Sequence, residues 1–228
     1  MTTMSNFVAV DWREGPDLIY FFFKDTSTYS RFNLGDNSVG KGYPCSADVN
    51  WGDFGKHVKD LRFGFSTTGL DWNGAGGDLL VLFYYEGNTP MVCRYSQASD
   101  KVLTKTPLSH SIWAPLKPYF DKIIGVMWYD ATGSKHTFWV LLNDGNYLIF
   151  NAYNQQMWIK SLAGSNWAGL EKYKDRMITA VRNDQPLFST YFYIFLTNNQ
   201  YLKYDFGEAA VSGPHQVNDG TWPGLLPR

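Results

Sequence analysis

Four histidines and two cysteines are the residues of this 228-residue chain best suited to acid–base, nucleophilic or metal chemistry. His57, His110, His136 and His215 stand far apart, and neither they nor Cys45 and Cys93 fall into the short paired spacings of a metal site. No Gly-x-Ser-x-Gly elbow is present, and the glycine-rich stretch Gly69–Asp78 lacks the Lys-Ser/Thr ending of a phosphate loop. Catalysis therefore has no clear candidate, and the expectation is a protein that is not an enzyme. Binding has better material. Nine Trp, fifteen Tyr and sixteen Phe supply flat apolar faces, and a few arginines stand among them.

The elements that must position these residues come from a repeat. Trp51-Gly-Asp-Phe54, Trp113-Ala-Pro-Leu116, Trp167-Ala-Gly-Leu170 and Trp222-Pro-Gly-Leu225 recur 62, 54 and 55 residues apart, a period that marks a repeat architecture. Each unit opens on a short apolar strand holding a small residue, Ala9, Gly64, Gly125 or Ala180, as strands crowded about an axis would require. A near-continuous apolar run follows: Ile19–Phe23, Leu79–Tyr85, Phe138–Leu142 and Tyr191–Leu196. Such runs suit strands buried on both faces. A polar turn and an alternating third strand come next. An outer strand then carries Pro44, Pro107 or Pro214, with Ser161 in the third repeat. The Trp motif reads as a helix of one or two turns, with Asn50, Asn166 and Thr221 as N-caps. The expected fold is an all-β four-bladed propeller, each blade four strands plus a short terminal helix. The blades span about 7–60, 61–122, 123–176 and 177–228 of a single unit, 7–228.

Tyr20-Phe-Phe22, Gly42-Tyr-Pro44 and Trp222-Pro-Gly-Leu225 make the pattern resemble the hemopexin-like repeat family, over about residues 7–228. As a lone four-repeat unit the chain is similar to the albumin-2 type of plant seed protein. The resemblance implies a ligand-binding protein, with haem or polyamines as ligands. It also implies ions held in the central channel by backbone carbonyls of the inner strands, Ca or Na for such oxygens, with Cl beside Arg62 as the competing ion. The matching positions are Val8, Arg62, Ile124 and Ile178, where many members of the family carry Asp or Asn. Carbonyl oxygens suit a hard cation, whereas the Arg62 charge favours an anion, and both stay open. The cysteine pair that joins first and last repeats in secreted members is missing, so closure must rest on packing.

What the repeats do not share points to the ligand. Trp12 and Trp128 stand just beyond the inner strands of the first and third repeats, which face each other across a four-bladed ring. Two facing indoles could stack a planar, cationic or sugar-like ligand, or each could pack down on its own blade. Arg182 offers a hydrogen-bond fork to an anionic group. The Gly69–Asp78 insertion carries Trp72, either as a binding loop or as a tolerated surface insertion. The alternative function is a lectin-like defence protein, so the expected partner is a small molecule or a glycan.

Net charge is −1 without a basic run, which removes the electrostatic footprint of a nucleic-acid binder. No stretch approaches the roughly 20 apolar residues of a membrane span. Met1–Asn6 lacks the features of a signal peptide, giving a cytoplasmic expectation. Cys45 and Cys93 then read as reduced thiols, with a bridge between them as the alternative.

Overall fold

The computed structural model describes residues 4–15, 17–68, 77–128, 135–183 and 190–226. Four antiparallel sheets form the blades of an all-β propeller. In each, strand order from axis to rim follows the chain. Innermost are Phe7–Trp12, Leu61–Thr68, Ile123–Trp128 and Met177–Arg182, each touching the inner strands of both neighbouring blades. The second strands are Leu18–Phe23, Asp78–Glu86, Thr137–Leu142 and Tyr191–Leu196.

The apolar runs without alternation are explained by the space between blades. Along Leu18–Phe23, Ile19 and Phe21 join the core shared with blade four, while Tyr20 and Phe22 join the core shared with blade two. A strand that feeds two cores has no wet face, so period-two patterning disappears. Four interblade cores result, each built around one of Trp51, Trp113, Trp167 and Trp222, all at most 3% exposed. The ring closes by packing: Met4, Phe7, Phe21, Phe195 and Trp222 share one core, and the Val39 amide donates to the Pro223 carbonyl at 3.2 Å. Cys45 and Cys93 are both free, so the bridge between them is not formed. Burial pushes the Cys93 thiol up to about 12, which keeps it protonated and unreactive.

The small residues of the inner strands sit where backbones meet. A Cβ on Gly125 would lie 2.4 Å from the Ala180 carbonyl oxygen of the next blade. The rim departs from the expected regularity. In blade one the outer strand is split into Ser38–Val39 and Cys45–Ser46, with Pro44 between the pieces. Among the described residues no helix is long and apolar enough to cross a membrane.

Short 3₁₀ segments, Gly52–Asp60, Ala114–Tyr119 and Ala168–Arg176, begin directly after the Trp of the first three motifs, whereas Trp222 is followed by turns. The expected caps are corrected. Asn50 and Asn166 do not cap, and Asn50 Nδ2 instead donates to the Ser46 carbonyl at 2.8 Å. Ser111 and Ser165, two residues before their Trp, do the capping. Each hydroxyl accepts the Trp amide, at 3.2 and 3.1 Å, and donates to Leu108 or Leu162 three residues back. A serine hydroxyl, one carbon away from the backbone, reaches both groups. Ser165→Ala is expected to cost about 1 kcal/mol in urea unfolding, and Asn166→Ala much less.

Candidate functional site

The inner strands run side by side, so their starts and ends define two mouths of a central channel. At the mouth formed by the strand ends, Asp11 is buried and accepts the Ser66 amide at 2.9 Å, while Ser66 Oγ donates to the Asp11 carbonyl at 2.6 Å. Gln97 Nε2 donates to Ser66 Oγ at 2.7 Å, and its Oε1 accepts the Arg13 and Glu14 amides. Arg13 Nε faces Asp11 Oδ2 at 3.4 Å with both side chains buried. The Arg13 guanidinium also lies 4.7 Å from the centre of the Trp128 ring, on the opposite blade, so it reaches across the axis. Arg182 donates from Nη1 to the Trp128 carbonyl. This mouth is plugged by the protein's own polar groups.

The two indoles are therefore not an open pair. Trp12 is 8% exposed, packs on Tyr20, Trp51 and Tyr95, and donates Nε1 to the Glu14 carbonyl at 3.0 Å. Trp128 is 4% exposed, donates to the Lys135 carbonyl at 2.9 Å, and belongs to the core between blades two and three. Each indole has packed down at its own blade boundary, and Arg13 occupies the cationic place over Trp128. Arg182 is hydrogen-bonded to the Trp128 carbonyl and so ties blade four to blade three. Trp72 lies outside the described residues. Arg13 was invisible as a site residue in the sequence because only the ring geometry brings it to Trp128.

At the mouth formed by the strand starts is a basin of about 240 Å³. Val8, Arg62, Ile124 and Ile178, one from each blade, all line it. The sheet registers shift across Arg62, Ile124 and Ile178, whereas Val8 pairs regularly with Phe22. A bulge leaves its extra residue outside the ladder, so three of the four channel positions have backbone groups released from strand pairing. Arg62 Nη2 donates to the Asp121 carbonyl at 2.9 Å, while its Nε is buried without a hydrogen-bond partner among the described residues. Lys24 lines the same basin. Burial, and behind it the Arg62 charge, holds Lys24 below the ordinary lysine value of 10.5. Asp121 is the carboxylate of the basin, and its Oδ1 takes the Tyr85 hydroxyl at 2.8 Å. Lys24 was missed from sequence; the one signal was a lysine directly after the apolar run ending at Phe23.

The histidines do not converge. His57 is buried against Phe54 and Tyr84, His215 lies beside Tyr201, and His110 is exposed on blade two. Among the described residues no group of three or more His, Cys, Asp or Glu is placed to hold a metal ion.

No family model and no curated protein matches the chain. Among solved structures, it is similar to a structural genomics protein of unknown function from Bacteroides thetaiotaomicron, at 14% identity and a TM-score of 0.37. That alignment covers 92% of this chain and 57% of the other. A chain of a nidogen/laminin complex is similar at 8% identity and a TM-score of 0.37, over 90% of this chain and 62% of that one. The chain thus spans less than two thirds of the length of either.

Proposed function

We propose that this chain is a non-catalytic binding propeller of the hemopexin-like kind, and that its ligand is a small oxyanion or carboxylate seated in the Arg62 basin. The observation that carries this reading is the buried Nε of Arg62, a charged donor with no acceptor among the described residues, beside a second cation, Lys24. A buried donor left without an acceptor costs on the order of 1–3 kcal/mol, more for a charged group, and an anion would remove that cost. Among the ligands expected, a polyamine would meet two like charges here. Haem would need a larger pocket than about 240 Å³, since drug-sized ligands occupy roughly 300–1,000 Å³, and no histidine lines the basin. A channel cation would have the bulged carbonyls but would face Arg62 and Lys24 as well.

Calorimetric titration with phosphate, sulfate and acetate, against spermine and haemin, tests the reading. An oxyanion or carboxylate is expected to bind, and Arg62→Gln to weaken it tenfold or more, the weight of one charge-assisted hydrogen bond. Affinity should fall as pH rises through the lowered pKa of Lys24, because the site loses a charge there. Anion binding untouched by Arg62→Gln, or spermine binding in its place, would overturn the proposal. The lectin-like alternative is favoured by a different surface: Trp158 is 49% and Tyr153 77% exposed at the rim of blade three. A glycan-array signal lost in Trp158→Ala would favour it.

A further inference from the structure

The blades differ at one place where register makes them directly comparable. On the second strands, Tyr20, Val81, Trp139 and Tyr193 are equivalent, pairing with Val10, Phe65, Met127 and Val181 of the inner strands. On the third strands, Tyr29, Val92, Tyr147 and Tyr201 are equivalent, pairing with Phe22, Phe83, Leu141 and Phe195. In three blades both positions carry a ring that packs on the blade's own Trp. Tyr20 and Tyr29 lie 5.3 and 5.7 Å from Trp51, and Trp139 and Tyr147 lie 5.7 and 5.8 Å from Trp167. Tyr193 and Tyr201 lie 5.2 and 5.7 Å from Trp222. Blade two has valine at both places, and there the protein has a cavity of about 190 Å³ walled by Leu79, Val81, Val92 and Trp113. Its rim is polar, formed by Thr104, Thr106 and His110, with Arg94, which has other partners.

We propose that this cavity is a second binding site, distinct from the channel basin, and that it takes a single-ring phenol. Its volume decides the size class. An apolar cavity of about 150 Å³ admits benzene, and a drug-sized ligand needs roughly 300 Å³ or more. Its walls decide the chemistry, because the space beside Trp113 lies where each of the other blades places aromatic rings against its own motif Trp. A ligand ring there regains the aromatic contact that Val81 and Val92 do not make with Trp113. The threonine hydroxyls at the rim can exchange hydrogen bonds with a ring hydroxyl, as a site built for a purely apolar guest would not.

The test is calorimetry with phenol and p-cresol on the full chain, with cyclohexanol as the saturated counterpart. Saturable phenol binding is expected, with cyclohexanol about 3–10-fold weaker, the factor an aromatic pair contributes beyond buried area. Val81→Tyr and Val92→Tyr place aromatic side chains there, as the other blades have. Each should reduce phenol binding at least tenfold while leaving the melting temperature unchanged or raised. Should either variant fail to fold, Thr106→Val supplies the second reading, weakening phenol but not toluene. Arg62→Gln should leave phenol binding intact, which separates this site from the anion basin. Absence of saturable phenol binding, binding that persists in a folded tyrosine variant, or cyclohexanol binding equal to phenol would each overturn the proposal.

Discussion

Asp11→Ala is expected to cost about 3–5 kcal/mol, the penalty for breaking a buried ion pair by removing one partner. The carboxylate is fully buried, faces Arg13 at 3.4 Å, accepts the Ser66 amide and feels the charge of Arg182. Its loss opens the plugged mouth where blades one, two and three are tied together. Asp11→Asn separates charge from shape, because the amide keeps an oxygen for the Ser66 amide. Burial holds the Asp11 carboxyl above its ordinary 3.8, while Arg13, the Ser66 amide and Arg182 pull it back. A carboxyl whose folded pKa is raised adds stability that is complete below the unfolded value and is lost as pH rises through the folded one. The gap in stability between wild type and Asp11→Asn should therefore widen as pH falls toward 3.8. A gap that narrows on acidification would show that the ion pair outweighs the burial cost. Urea unfolding at a series of pH values reads both results.

Gly125→Ala is the second large effect expected, a loss of about 3 kcal/mol, at the upper end for overpacking by a single methyl. The added Cβ would stand 2.4 Å from the Ala180 carbonyl oxygen and 2.7 Å from the Ala180 Cβ. The first contact is with backbone, so the inner strands of blades three and four must separate. Ala180→Gly relieves only the Cβ contact, and the double variant should recover less than half of the loss. Full recovery would mean that side chains rather than backbones set the strand spacing. At Gly64 the nearest atoms are side-chain methyls of Leu82 and Val10 at 2.8 Å, which can shift, so Gly64→Ala should cost less.

Much of the scaffold was legible because it repeats. The Trp motifs, the doubly apolar runs and the small inner-strand residues each recur once per blade, and each follows from packing blades around an axis. Where one copy departs from the pattern, local sequence misled. Asn50 and Asn166 have cap chemistry but stand one position too late, and Ser111 and Ser165 make the bonds. The binding residues were harder, because they depend on which side chains meet across the ring. Trp12 and Trp128 do stand on opposite blades, yet each turns into its own core, and the Arg13 guanidinium lies over Trp128. Lys24 meets Arg62 only because the end of one blade's second strand lies beside the start of another's inner strand.

The sequence alone determined the all-β class, the four blades and the identity of the core tryptophans. These depend on periodicity and apolar content, which neighbouring residues carry by themselves. Only the tertiary structure decided which mouth of the channel is plugged, that Arg62 and Lys24 share the open one, and that two valines leave room beside Trp113. Those facts are differences between surfaces far apart in the chain. Burial and charge at such places are set by what closure of the ring brings alongside.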